Sequence, residues 1–85
     1  MGELTKLPNI GKAVEEQLIE VGIDTPEKLF AAGSREAWLK IQQIDPSACI
    51  NRLLGLEGAV RGLRKAELPD QVKAEMRDFY KAHKL

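Results

Sequence analysis

The chain has 85 residues, a length that fits one domain and leaves no room for two independent hydrophobic cores. Thirteen basic residues balance thirteen acidic ones, which excludes a domain that holds nucleic acid by its overall charge, so any such contact must be local. Apolar residues make up 44% of the chain and charged residues 31%, a globular rather than a disordered composition.

The first elements along the chain carry the residues that begin and end helices. A short turn ends at Pro8, and an amphipathic segment follows it. Gly22 stands where a left-handed residue ends a helix, and Ile23 is placed to fold back onto that helix end. The motif Asp24-Thr25-Pro26 predicts the next helix start, because a capping side chain precedes a proline that suits the first turn.

The second half of the chain repeats these signals. Gly33 ends the short helix that starts at Pro26, and Ser34 caps the helix that follows. Asp45-Pro46 is another cap-plus-proline start, and no segment alternates apolar and polar residues long enough to predict a strand. We therefore predict that residues 1–85 form one all-α domain, a compact bundle of about five helices at residues 11–21, 26–33, 34–44, 46–64 and 68–81.

The helix predicted at residues 46–64 is the longest. Its apolar residues recur in steps of three and four, which predicts a stripe facing the core: Cys49, Leu53, Leu56, Val60 and Leu63. Three glycines also lie within this span, Gly55, Gly58 and Gly62. Because each costs about 1 kcal/mol of helix propensity relative to alanine, we expect another helix to pack closely against their side.

The most informative motif is the turn Leu7-Pro8-Asn9-Ile10-Gly11-Lys12 that precedes the first long helix. Asn9 suits the left-handed conformation that a tight reversal demands, and an apolar residue at position 10 enters the core. A glycine at position 11 lets a partner approach the backbone closely. The free backbone amides of Ile10, Gly11 and Lys12 then face outward at the positive end of a helix dipole, which suits a phosphate. The predicted nucleic-acid-binding residues are Asn9, Ile10, Gly11 and Lys12. The alternative is that this turn only packs helices together.

This turn resembles the helix-hairpin-helix motif, which holds a DNA phosphate without reading bases and usually carries a glycine where Asn9 stands. A wider resemblance covers residues 4–80. Its pieces are Leu7-Pro8-Asn9-Ile10-Gly11, Val21-Gly22-Ile23-Asp24-Thr25, Ala37-Trp38-Leu39, Ile44-Asp45-Pro46-Ser47 and Leu56-Glu57-Gly58-Ala59-Val60-Arg61-Gly62. Together they resemble the C-terminal domain of the TfoX (Sxy) family of bacterial competence regulators. The resemblance implies a helical domain with a helix-hairpin-helix-like core and a role in switching on DNA-uptake genes, and it carries over no catalytic residues.

A second group of candidate residues, the basic cluster Arg61, Arg64 and Lys65, lies at the end of the longest predicted helix. Cations there complement the negative end of the helix dipole, and the functional alternative is a second phosphate contact, which Arg52 could extend along the same face. No motif pairs a nucleophile with a base, and Glu15 and Glu16 point in directions about 100° apart on a helix. We therefore expect no enzyme.

Three single residues are further candidates for functional sites. Cys49 lies on the predicted apolar stripe, where a buried inert thiol is expected rather than a reactive one. His83 is the only histidine and is expected to be a tail residue, and Trp38 is expected in the core rather than at an interface. As the only cysteine, Cys49 also excludes an internal disulfide and a cysteine-based metal site, so we expect neither metal nor cofactor.

These observations predict a non-catalytic regulatory or accessory protein that contacts DNA phosphates weakly and non-specifically through residues 9–12. The alternative is a protein–protein interaction module, a homodimer or an adaptor, that uses the face of the three glycines and makes no DNA contact. The sequence shows neither a signal peptide nor the run of about 18 apolar residues that spans a bilayer, so we expect a cytoplasmic protein without membrane contact.

Overall fold

The computed structural model describes residues 3–84. Within that range the chain is helical and contains no strand, as expected for the all-α class. Four α-helices and two short 3₁₀ turns follow one another: the first 3₁₀ turn Leu4–Lys6, α1 Lys12–Glu20, α2 Pro26–Ile44, α3 Ile50–Arg61, the second 3₁₀ turn Lys65–Glu67 and α4 Asp70–His83. None of these helices combines the length and the apolar character needed to cross a membrane.

The predicted break at Gly33 is present inside α2, where two helical segments meet across a kink of non-helical backbone. Residues 3–84 therefore contain four α-helices, and the predicted five are not confirmed. Gly33 has φ 83° and ψ 164°, which interrupts the helical backbone, but the residues on either side continue as one element. The hydroxyl of Ser34, the residue predicted to cap a new helix, donates to Glu57 Oε1 on α3 at 2.5 Å and so ties α2 to α3. The expected start of this helix is confirmed, since Thr25 Oγ1 accepts from the amide of Lys28 at 3.2 Å.

The longest predicted helix is shorter than expected at both ends. Asp45-Pro46 opens a turn rather than a helix, because Asp45 Oδ1 accepts from the Ser47 amide at 3.1 Å. Cys49 becomes the N-cap residue of α3 and is exposed, so its predicted place on the buried stripe is wrong. Gly62 lies after the helix, with the left-handed φ of 73° that ends it.

Trp38 stands at the centre of the core, fully buried as expected. Its ring meets those of Phe79 and Tyr80 edge to face at centroid distances of 6.1 and 5.7 Å, and its Nε1 donates to the carbonyl of Cys49 at 3.2 Å. Around it α3 packs against α2 and α4, whereas α1 packs against α2 and the first 3₁₀ turn. The other large, almost fully buried side chains are Leu4, Leu18, Leu29, Ile41, Leu53, Leu56 and Met76.

The C-terminal end of α1 follows the expected pattern. Gly22 has φ 89°, and the Ile23 amide folds back to donate to the Leu18 carbonyl at 2.8 Å. Ile23 is thereby buried against the end of α1, the apolar contact that accompanies this kind of helix end. A full helix-hairpin-helix is not confirmed, because within residues 3–84 only the three-residue 3₁₀ turn Leu4–Lys6 precedes the reversal.

Candidate nucleic-acid interface

The reversal before α1 has the backbone that the sequence predicts. Asn9 is the non-glycine residue with positive φ among those described, at 67°, and Ile10 is 5% exposed, so its side chain enters the core. One expectation is wrong: the amide of Ile10 is not free, because it donates to the Leu7 carbonyl at 3.4 Å. Ile10 therefore closes the turn, and the outward-facing amides begin after it.

The N-terminus of α1 is exposed and has no side-chain cap. Gly11 is the N-cap residue, and the first backbone bond within the helix runs from the Glu15 amide to the Gly11 carbonyl at 3.0 Å. The amides of Lys12, Ala13 and Val14 consequently have no acceptor within the helix. A Cβ on Gly11 would meet no atom within 4 Å, so packing within the chain does not require a glycine there.

The Asn9 side chain ties the turn to the far end of α3. Its Nδ2 donates to the carbonyls of Gly55 at 3.2 Å and Leu63 at 2.9 Å, and its Oδ1 accepts from the Lys65 amide at 3.1 Å. A glycine has no side chain to make these bonds, so Asn9 does more here than permit a left-handed backbone. We refer to this arrangement of Asn9, Gly55, Leu63 and Lys65 as the Asn9 clasp.

The close neighbour of the α3 glycines is this turn, not another helix as expected. A Cβ on Gly58 would lie 2.5 Å from Asn9 Nδ2 and 2.5 Å from the Leu63 carbonyl oxygen. A Cβ on Gly55 would lie 3.4 Å from the Asn9 Cβ, an ordinary contact distance. Gly58 is therefore the position where the absence of a side chain makes room for the clasp.

The clasp also brings Arg64 and Lys65, from the second predicted basic cluster, beside the turn that holds Lys12. All three residues are exposed, and within residues 3–84 none of their side chains forms an ion pair. Arg61 differs, because its guanidinium pairs with Glu57 one turn earlier on α3.

Glu57 forms the ion pair that leaves Arg61 unavailable to an anion. Burial opposes ionisation of this carboxyl, but hydrogen bonds from Ser34 and Arg61 outweigh it and lower its pKa below the ordinary 4.5. Glu57 therefore stays ionised and paired at neutral pH, and the three exposed cations of the predicted clusters that remain unpaired are those beside the turn.

Two carboxylates follow Lys12 on α1, and they are not equivalent. Glu16 is exposed, whereas Glu15 is only 9% exposed and its Oε2 has no hydrogen-bond partner among the described residues. Of the two, only Glu16 directly opposes a polyanion at the surface.

A second polar cluster, which the sequence reading missed, surrounds Asp45. Its Oδ2 accepts from Gln17 Nε2 at 3.0 Å and from Arg52 at 2.8 Å, and its Oδ1 accepts from Ser47. These hydrogen bonds, the one from the Ser47 hydroxyl foremost, hold the pKa of Asp45 well below its ordinary value of 3.8. Arg52 is thereby neutralised and does not extend the basic face. The sequence feature that could have indicated this cluster is the Asp45-Pro46 pair seven residues before Arg52.

The remaining candidates fall outside this region. Nδ1 of His83 lies 2.8 Å from the Phe79 carbonyl at the end of α4, and its ring stacks on Phe79 at 4.1 Å. Within the described residues no three histidine, cysteine or acidic side chains are grouped to hold a metal ion.

The fold and this exposed turn define a small all-helical domain of a known class. The family model described as the TfoX C-terminal domain matches residues 1–80, and the chain belongs to that family. Protein Sxy of Escherichia coli (strain K12) is 33% identical over 76 residues. That match covers 89% of this chain but 36% of Sxy, so the chain spans about a third of the length of this relative.

Two solved structures share the fold across nearly the whole chain. An uncharacterized protein from Listeria monocytogenes, in a triclinic crystal form, is 46% identical with a TM-score of 0.92, covering 93% of this chain and 90% of that one. A protein of unknown function from Listeria monocytogenes, in a tetragonal form, is 45% identical with a TM-score of 0.90, covering 92% and 96%. Their descriptions state no function.

Proposed function

We propose that this chain is a non-catalytic regulatory or accessory domain of the competence-regulator type, which contacts DNA phosphates weakly and without sequence preference through residues 9–12. The observation that supports this most is the exposed, uncapped N-terminus of α1, beside which Lys12, Arg64 and Lys65 lie without carboxylate partners in the described chain. Free amides, a positive dipole end and unpaired cations all favour a phosphate. Membership of the TfoX C-terminal domain family supports the regulatory role.

The zero net charge of the chain limits how tightly such a surface binds. Non-specific binding comes from counterions released as phosphates are neutralised, with a slope of log K against log salt of roughly −0.9 per phosphate. Contact with two or three phosphates therefore predicts a slope of about −2 to −3 and a dissociation constant on the order of 10⁻⁴ to 10⁻⁶ M.

The test is a titration of fluorescently labelled duplex DNA at low and moderate salt, with the variants Lys12→Glu and Lys81→Glu. Both variants change the net charge equally, but Lys81 lies in the last turn of α4, about 16 Å along the helix from its start near the second 3₁₀ turn. We expect Lys12→Glu to lose binding and Lys81→Glu to keep most of it. No binding of the unchanged chain at tens of micromolar protein in low salt would rule out direct DNA contact.

A second candidate is a protein–protein module, supported by two large apolar side chains that remain exposed on α2, Phe30 at 48% and Ile44 at 42%. The glycine face does not support it, because Gly55 and Gly58 are buried against Asn9. Sedimentation across a concentration series tests self-association, and a strictly monomeric result would leave only hetero-partners for this candidate.

A further inference from the structure

We infer that Asn9 is a positioning residue that fixes Arg64 and Lys65 beside the α1 turn, so that the DNA backbone is held by two segments of the chain rather than by the turn alone. This inference rests on the proposed DNA contact and extends it to a second, separately testable group of residues.

The Asn9 clasp joins two segments that are far apart in the sequence. Residues 9 and 65 are 56 positions apart, yet Asn9 Oδ1 accepts from the Lys65 amide, and Asn9 Nδ2 donates to the Leu63 carbonyl two residues earlier. Arg64 lies between these two anchored residues. Its own amide donates to Glu67 Oε1 at 2.9 Å, so the backbone of this segment is held from both sides.

The clasp also anchors the backbone that carries Arg64 and Lys65. The Leu63–Lys65 segment follows the left-handed Gly62 and is extended at Arg64, with φ −69° and ψ 148°. Its backbone bonds run to the end of α3, where the Leu63 amide donates to the Gly58 carbonyl at 2.8 Å, and to the second 3₁₀ turn, where the Glu67 amide donates to the Arg64 carbonyl at 2.8 Å. The Asn9 side chain adds the tie between this segment and the turn before α1. A neutral amide can donate to one residue of this segment and accept from another at the same time, which a carboxylate or an ammonium cannot do. Asn9 therefore orders the segment without adding charge beside its cations.

The charged residues around the clasp are mostly cations. Lys12, Arg64 and Lys65 contribute three positive charges, and the α1 dipole adds a partial one. The exposed carboxylates nearest in sequence are Glu67, whose Oε1 accepts from the Arg64 amide, and Glu16 on α1. Three cations and the helix dipole outweigh these two carboxylates, so the charge balance at this surface favours a polyanion although the net charge of the chain is zero.

The experiment is a cycle of four chains titrated with the same labelled duplex at several salt concentrations: the unchanged chain, Asn9→Gly, the pair Arg64→Ala with Lys65→Ala, and all three substitutions together. Glycine accepts the φ of 67° at Asn9 without strain, so Asn9→Gly removes the clasp with little backbone cost. The pair Arg61→Ala with Lys81→Ala is the charge-matched control, because Arg61 is already paired with Glu57.

We expect the Arg64 and Lys65 pair to weaken binding about tenfold and to make the salt slope shallower by about 1 to 2, since each lost phosphate contact removes roughly 0.9. In the Asn9→Gly background the same pair should cost no more than about threefold, because those cations are no longer held in place. Without DNA, hydrogen exchange of the Lys65 amide should be faster in Asn9→Gly, which checks the clasp directly.

The outcomes separate the two claims. If the unchanged chain binds and the Arg64 and Lys65 pair leaves the affinity and the slope unaltered, the two-segment surface is wrong while contact through the turn stands. If the pair costs as much with glycine at position 9 as with asparagine, the positioning role of Asn9 is wrong. If the unchanged chain does not bind DNA, the proposed function fails together with this inference.

Discussion

Two turns of this protein have similar sequences and uncapped helices after them, but in the described chain only one of them has unpaired cations beside it. The turn at residues 7–11 and the turn at residues 45–49 each place a proline next to a polar side chain, and each precedes an α-helix whose N-cap makes no side-chain hydrogen bond. In each, the polar side chain reaches a distant part of the fold. Asn9 reaches α3 and the segment after it, and Asp45 reaches Gln17 on α1 and Arg52 on α3.

The difference lies in the charge of the residue that makes the tie. The Asn9 amide both donates and accepts, so it binds two carbonyls and one backbone amide. Because it carries no charge, it forms no ion pair with the nearby Arg64 and Lys65. The Asp45 carboxylate only accepts, and it takes Arg52 as one of its donors. A missing cap therefore does not by itself identify an anion site. The first turn differs because the side chain that anchors it, the amide of Asn9, is uncharged.

The largest expected effect comes from filling the space that the Asn9 clasp occupies. Gly58→Ala would place a Cβ 2.5 Å from both Asn9 Nδ2 and the Leu63 carbonyl, and the clasp would have to open. Overpacking of this kind costs about 1–3 kcal/mol, partly offset by the better helix propensity of alanine. We expect a net loss of about 2 kcal/mol in the free energy of unfolding, measured by urea denaturation. A variant as stable as the parent would mean that the clasp is not rigid.

The next largest effect is expected from Asn9→Asp, which gives the turn at residues 7–11 a carboxylate like that of Asp45. Asn9→Asp replaces the Nδ2 donor by an oxygen that faces the carbonyls of Gly55 and Leu63. Because those bonds are lost and replaced by repulsion, we expect a loss of about 1–2 kcal/mol in the free energy of unfolding. DNA affinity should fall further than in Asn9→Gly, since the new charge offsets the neighbouring cations. Equal affinities in the two variants would contradict the electrostatic part of this argument.

The third effect comes from the reverse change, Asp45→Asn, and depends on pH. The pKa of Asp45 is held below its ordinary value of 3.8 by Ser47, Gln17 and Arg52. Its contribution to stability is therefore complete above pH 3.8 and is lost as the pH falls further towards the folded-state pKa.

We expect Asp45→Asn to be less stable than the parent at neutral pH, with the gap closing as thermal unfolding is followed from pH 5 down to about pH 2. The exposed Asp24, which pairs with Lys28 at 2.8 Å, provides the control Asp24→Asn, for which a smaller gap is expected. A gap for Asp45→Asn that does not change over this range would indicate that the carboxylate is not the group responsible.

The smallest effect is expected at the neighbouring glycine of α3. A Cβ on Gly55 would lie 3.4 Å from the Asn9 Cβ, an ordinary contact, so the helix propensity of alanine is gained with little or no clash. We expect Gly55→Ala to change the free energy of unfolding by no more than about 0.5–1 kcal/mol, in the stabilising direction if the turn adjusts. A loss as large as that of Gly58→Ala would show that the two glycines share one role, against the distances.

The amino-acid sequence by itself determined the helical class, the capping of α2 by Thr25, the left-handed backbone of Asn9 and the burial of Trp38. These features depend on short-range chemistry, because caps, prolines and apolar spacing act within one or two turns of a helix. Even here the range of local rules was limited. At Asp45 a local hydrogen bond to Ser47 produced a turn where the same signal predicted a helix start.

Only the tertiary structure decided why Gly58 lacks a side chain, which cations stay unpaired and what Asn9 does. The clasp joins residues 46 to 56 positions apart. No spacing rule relates such residues, because their meeting depends on how the helices pack as a whole. Arg61 is the exception, because its partner Glu57 lies four residues earlier on the same helix, a spacing at which side chains meet. Arg64, three residues later, is brought to the turn by the path of the backbone after α3.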